Sequence, residues 1–72
     1  MLELDCLGEM CPVPLLKAQK EAQSLPSGET LKIITDHSCV HQNVITYFKK
    51  KKFLIKEDEV LNGVWEIFLT KP

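Results

Sequence analysis

Apolar and polar residues change their period repeatedly along the chain, and each change marks an element. Leu2, Leu4 and Cys6 alternate with Glu3 and Asp5, the period of a short half-buried strand. Gly8 permits a turn, and Pro12 suits the first position of a helix, where its missing N–H would have had no partner. Pro14 still lies within the first turn, where proline costs little. Leu15, Ala18, Ala22 and Leu25 then recur at helical spacing, until Pro26-Ser27-Gly28 stops the helix. Thr30 to Thr35, with Leu31, Ile33 and Ile34, reads as a second strand. Asp36 or Ser38 is placed to cap a second helix with an apolar stripe of Val40, Val44, Tyr47 and Phe48, running out in Lys49 to Lys52. Phe53 to Val60 reads as a strand with an acidic end, and Asn62-Gly63 is a strong hairpin signal. In the last strand Trp65, Ile67 and Leu69 alternate with Val64, Glu66 and Phe68, so both faces are apolar, which places it inside the sheet.

The order β-α-β-α-β-β predicts an α/β fold, a two-layer α/β sandwich with a four-stranded mixed sheet and two helices on one face. Residues 1–72 are expected to form a single domain, since there is no linker, repeat or low-complexity stretch. In a β-α-β unit each helix starts at the carboxyl edge of the strand before it. The two helix N-termini should therefore share one edge of the sheet.

Composition narrows the function. Nine Lys+Arg against ten Asp+Glu leave a net charge of −1, without the basic surplus of a dedicated nucleic-acid binder. No apolar run approaches the ~18 residues of a membrane span, so the protein is not expected to be membrane-embedded. The first ten residues carry Glu3, Asp5 and Glu9 with no basic and apolar leader pattern, which predicts a cytoplasmic protein. Three cysteines in such a compartment point to thiol chemistry more than to disulfide staples.

Their placement separates them. Cys11 precedes Pro12 at the start of the first helix, and Cys39 falls in the first turn of the second. At helix starts, unpaired N–H groups and the helix dipole can lower a thiol pKa from ~8.5 towards 7 or below. Cys11, set between a turn and Pro-X-Pro on rigid backbone, is hard to bury, and Val13 with the next free N–H groups could face its sulfur. Cys6 is in phase with Leu2 and Leu4 and should point into the core. His37 and His41 flank Cys39, where an imidazolium would favour a thiolate, although two ordinary surface histidines serve equally well as a reading. Asp5 is a natural acceptor for the backbone two residues on, and Glu9 is expected to be solvated.

The segment Leu4-Asp5-Cys6-Leu7-Gly8-Glu9-Met10-Cys11-Pro12-Val13-Pro14 resembles the L-D-x-x-G-x-x-C-P-x-P signature of the TusA/SirA-like sulfur-carrier family, with every fixed position present. Gly28-Glu29-Thr30-Leu31 and the acidic strand end at Asp36 extend the resemblance along the chain. The resemblance implies the same β-α-β-α-β-β sandwich and a sulfurtransferase of carrier type. It makes Cys11 the bearer of a covalent persulfide, with Gly8, Glu9, Pro12, Val13 and Pro14 as motif support, and implies sulfur-donor and sulfur-acceptor proteins as partners. No other cofactor and no metal follow from it. The second half, Asp36-His37-Ser38-Cys39-Val40 with Asn62-Gly63-Val64-Trp65-Glu66, resembles the YeeD-type branch. That branch carries an additional cysteine and is associated with a YeeE-type membrane thiosulfate transporter. This implies thiosulfate as a sulfur source, a place at the inner face of the membrane, and Cys39 as a second thiol in turnover, with His37, Ser38 and His41 as accessory candidates.

Other readings compete. A TusA-like carrier could instead serve tRNA 2-thiolation. Cys6, Cys11, His37, Cys39 and His41 supply enough ligands for zinc, but in no standard spacing. Lys49 to Lys52 could contact tRNA, an acidic partner or anionic lipid, although they also suit the C-terminal dipole of the helix they end, which favours a solvated helix end. Trp65 on an apolar strand reads most simply as core.

Overall fold

The computed structural model describes residues 2–72. Its elements are β1 (Leu2–Asp5), α1 (Val13–Ser24), β2 (Thr30–Thr35), α2 (Ser38–Lys50), β3 (Leu54–Leu61) and β4 (Val64–Thr70). The sheet order is β1-β2-β4-β3, with β1 parallel to β2 and β4 antiparallel to both of its neighbours. The strand with two apolar faces is thus central, as its pattern predicts. β4 returns from the hairpin and inserts between β2 and β3, which splits the second β-α-β unit.

The hairpin joins Leu61 to Val64 across Asn62-Gly63, with Gly63 at φ 81°, a conformation that a residue with a Cβ adopts only under strain. Its N–H is held by the Glu59 carboxylate at 3.0 Å.

Period two decides which strand residues face the helices. Leu31, Ile33, Ile67 and Leu69 are fully buried, and Ile55 and Leu4 pack beside them. From the helices come Pro14, Ala18 and Ala22 of α1 and Val40, Val44 and Phe48 of α2. The opposite sheet face has no helix. There Lys32 spans Glu66 at 3.1 Å and Glu3 at 4.0 Å, and Thr30 shares a hydrogen bond of 2.9 Å with Thr70. Long side chains cover that face of the apolar strand in place of a second layer.

Three local expectations need correction. α1 begins at Val13, so Pro12 is the N-cap and Pro14 sits in the first turn. Neither Asp36 nor Ser38 caps α2; His37 is the N-cap, with no side-chain cap bond. Asp36 instead has a tertiary partner, described below. α2 also stops earlier than the lysine run suggests. Lys52 N–H bonds to Lys49 C=O and Phe53 N–H to Phe48 C=O, both at 3.1 Å, with Lys52 at φ 65°. This is a Schellman closure, completed by the edge-on contact of Phe53 with Phe48 at 4.9 Å between ring centres.

A lysine in the left-handed region costs roughly 1–2 kcal/mol, and glycine avoids this at a smaller entropic cost. Lys52→Gly is therefore expected to stabilise the fold by about 0.5–1 kcal/mol, read as a higher urea midpoint with unchanged slope. A lower midpoint would refute this account of the helix end.

Candidate functional site

Parallel pairing of β1 with β2 brings the starts of α1 and α2 to one edge of the sheet. The loop from Cys6 to Cys11 crosses that edge and is tied at successive residues. Cys6 N–H continues the sheet ladder to Ile34 C=O at 2.8 Å. Leu7 N–H donates to the Asp5 carboxylate at 3.1 Å, as the turn chemistry predicts. Gly8 N–H donates to Asp36 Oδ1 at 3.0 Å, which joins this loop to the end of β2. Gly8 has φ 78°, the left-handed conformation that favours glycine in that turn. Glu9 N–H returns to Cys6 C=O at 3.1 Å.

Glu9 is not a solvated carboxylate. It pairs with Lys17 of α1, and its other oxygen, Oε1, is buried without a hydrogen-bond partner among the described residues. It fastens the loop to the helix that follows.

The three cysteines occupy different environments. Cys6 is fully buried in the core, as its phase predicts. Burial first, then the negative charge of the neighbouring Glu9, push its thiol up to about 11. Cys11 is half-buried against the edge of the core, more enclosed than a rigid turn suggests. Cys39 is exposed. Its pKa is raised, first by a hydrogen bond to Cys11, then by desolvation and the charge of the neighbouring sulfur. The lowered pKa expected for Cys39 at a helix start is thus reversed in direction.

The donor pattern around Cys11 also departs from expectation. Val13 N–H is already bonded to Met10 C=O at 3.0 Å, so it is not free for the sulfur. Pro12 and Pro14 have no N–H at all. The group that reaches Cys11 Sγ is Asn43 Nδ2 of α2, at 2.6 Å, and the same nitrogen lies 3.8 Å from Cys39 Sγ. Asn43 was not among the candidates. The signal for it was its position four residues after Cys39, on the same helical face.

The flanking residues do not converge on Cys39. His41 Nε2 is bonded to Glu57 of β3 at 2.6 Å, and its ring stacks on Trp65 of β4 at 5.1 Å. It therefore serves the contact of α2 with the sheet, and Trp65 is half-buried in that contact, not enclosed in the core. His37 Nδ1 faces the Asp36 carboxylate at 3.7 Å, while its N–H bonds to Thr35 Oγ1 at 3.2 Å. Ser38 is exposed at the first turn of α2. Among the described residues, no three His, Cys, Asp or Glu side chains are grouped to hold a metal ion.

A half-buried thiol, an exposed thiol and an amide within reach of both lie together at one sheet edge beside a tied loop. The comparisons with known proteins place the chain in a family. The Sulfurtransferase TusA family profile matches residues 2–71. The chain is 28% identical over 71 residues to a candidate sulfur carrier protein of Methanocaldococcus jannaschii, covering 99% of this chain and 95% of that one. It is 30% identical over 67 residues to another from Thermotoga maritima, covering 92% and 85%. The crystal structure of a SirA-like protein from Desulfitobacterium hafniense superposes with a TM-score of 0.87 at 27% identity, covering 97% of this chain and 96% of that one. This chain belongs to the TusA family of sulfur carriers. No helix of the described residues is long and apolar enough to cross a membrane.

The separation of Cys6 has a pH signature. An unfolded cysteine ionises near ~8.5, whereas folded Cys6 does so at about 11. Between these values the unfolded chain releases a proton that the folded chain keeps, so this group lowers stability as pH rises through that window. Below ~8.5 it contributes no slope. Urea midpoints at pH 8 and 10.5 should fall more steeply for the native protein than for Cys6→Ala. Equal slopes would show that Cys6 is not shielded in the core.

Proposed function

We propose that the protein carries sulfane sulfur as a persulfide on Cys11, takes it from thiosulfate, and uses Cys39 to complete turnover. The convergence of Cys11 and Cys39 on one amide, that of Asn43, is the observation that carries this reading. A one-thiol relay needs no second cysteine there.

Loading is a displacement. The Cys11 thiolate attacks the outer sulfur of thiosulfate, the S–S bond breaks, and sulfite leaves with the electron pair. The product is Cys11-S-S⁻. Delivery is the same reaction in the opposite sense: an acceptor thiolate attacks the outer sulfur and Cys11 departs as a thiolate. When no acceptor is docked, the Cys39 thiolate attacks Cys11 Sγ and expels the outer sulfur as hydrosulfide. The Cys11–Cys39 disulfide that results is reopened by a dithiol reductant, which supplies two electrons.

The surroundings fit a protein that presents its sulfur to others. Leu7, Met10, Val13 and Leu16 are exposed in the loop and first turns around Cys11. One surface groove lies elsewhere, on the open sheet face by Leu54 and Phe68. Such a collar suits docking against donor and acceptor proteins. Similarity to the YeeD-type branch makes a YeeE-type thiosulfate transporter the partner that delivers the substrate, which would place the carrier at the inner face of the membrane.

Incubation with thiosulfate should add ~32 Da, one sulfur atom, to the intact mass. Cys11→Ser should abolish the adduct. Cys39→Ser should keep it while sulfide release falls at least tenfold. Absence of an adduct with thiosulfate or any persulfide donor would overturn the carrier reading. Undiminished sulfide release from Cys39→Ser would remove Cys39 from turnover.

A further inference from the structure

Resting on the reading of Cys11 as the sulfur carrier, we propose that Asn43 is a catalytic residue that stabilises the Cys11 thiolate as sulfur is loaded and released. The proposal follows from the supply of donors around one atom. Cys11 sits at the start of α1, yet that helix start offers it little. Pro12 and Pro14 have no N–H, and Val13 N–H is committed to Met10 C=O. The positive end of α1 is thus largely closed to the sulfur that the sequence places beside it. α2 supplies the donor instead: Asn43 Nδ2 lies 2.6 Å from Cys11 Sγ.

The side chain is held in place for this. Asn43 stands on the same face of α2 as Cys39, one turn on, with its amide also 3.8 Å from Cys39 Sγ. α2 is fixed against the sheet by Val40 and Val44 in the core and by His41 on Glu57 and Trp65. The loop bearing Cys11 is fixed through Gly8 to Asp36, directly ahead of the same helix. Donor and acceptor come from opposite halves of the chain but are tied to one sheet edge.

The chemistry gives this contact a defined role. When sulfur leaves Cys11-Sγ-SδH, the acceptor forms a bond to Sδ, the Sγ–Sδ bond breaks, and the electron pair collects on Sγ. The proton of the outer sulfur goes to solvent. Sγ is therefore where negative charge develops, and a preorganised N–H at that atom stabilises the departing thiolate. On the unloaded carrier the same N–H faces Cys11 Sγ and fixes the direction from which that sulfur attacks. Sδ, the atom handed over, is left free for the partner.

Two substitutions separate this from a structural role. Asn43 is exposed, so neither should disturb folding. Asn43→Leu removes the donor, and Asn43→Asp keeps the shape of asparagine but puts a carboxylate against the sulfur. Loaded protein in a Cys39→Ser background, where the internal thiol cannot consume the persulfide, is treated with cyanide, which takes Sδ as thiocyanate. The rate of thiocyanate formation should follow Asn > Leu > Asp, with a loss of about tenfold for Leu, the scale of one hydrogen bond to a charged group. Alkylation of unloaded Cys11 by iodoacetamide at pH 7, followed on its peptide mass, should show the same order and does not depend on sulfur carriage. Equal rates for Asn and Asp in either assay would overturn the proposal, since a structural role tolerates the isostere. Failure of Asn43-containing protein to load at all, with the alkylation order intact, would overturn the carrier reading and leave Asn43 as the group that activates Cys11 for other chemistry.

Discussion

The parallel pairing of β1 with β2 is the constraint on which the site depends. Register Leu4↔Ile33 and Asp5↔Ile34 aligns the carboxyl ends of the two strands, so the loops that follow leave the sheet side by side. Asp36, the first residue after β2, then reaches Gly8 in the loop after β1. An antiparallel pairing would send these two loops to opposite ends of the molecule. With the ends aligned, Cys11 and the face of α2 bearing Cys39 and Asn43 meet with no further device. The rest of the sheet serves this arrangement: β4, buried on one face and bridged by Lys32 and Glu66 on the other, gives β2 a hydrogen-bonded partner on its second side.

Three sulfurs within one small domain behave differently because their surroundings tax the anion to different degrees. Cys6 has no solvent and has Glu9 beside it, both of which oppose ionisation. Cys39 has solvent, but the neighbouring Cys11 raises its pKa. Cys11 is offered a hydrogen bond from Asn43. Desolvation and like-charge repulsion thus divide the labour among chemically identical groups. Glu9 contributes to the division: its carboxylate faces Cys6 and Lys17 and keeps that thiol inert, while its backbone N–H helps close the turn that carries Cys11 forward.

All six elements, their order and the central position of β4 were legible in the sequence because they depend on periodicity and turn chemistry, which are local. The family signature around Cys11 was equally plain. What could not be read depended on tertiary partners. Asp36 looks like a helix cap because such residues usually bond to nearby backbone; here its oxygen is taken by Gly8, 28 residues away. His41 looks relevant to Cys39 because it is two residues on, but two residues turn about 200° around a helix and aim it at the sheet. Asn43 carries no chemical signature of its own. Its importance arises only when the sheet brings Cys11 to within a hydrogen bond of it.

The half-buried position of Cys11 follows from the same electrostatics. A deeper position would secure the sulfur but would expose it to the desolvation that pushes Cys6 up to about 11, and it would block a partner's thiol. A fully exposed position, such as that of Cys39, would leave its direction undefined and its chemistry open to any thiol in solution. The half-buried site resolves these demands by dividing them: one side packs against the core and fixes direction, while the other meets Asn43 and solvent. The missing wall is then the partner's to supply. On the proposed reading, a donor or acceptor covering the exposed Leu7, Met10, Val13 and Leu16 would exclude water from a Cys11 persulfide, and the hydrogen bond at Sγ would strengthen in the lower dielectric. Sulfur transfer would then be favoured in the docked complex over the free carrier, and a reactive persulfide could travel on a surface without being lost on the way.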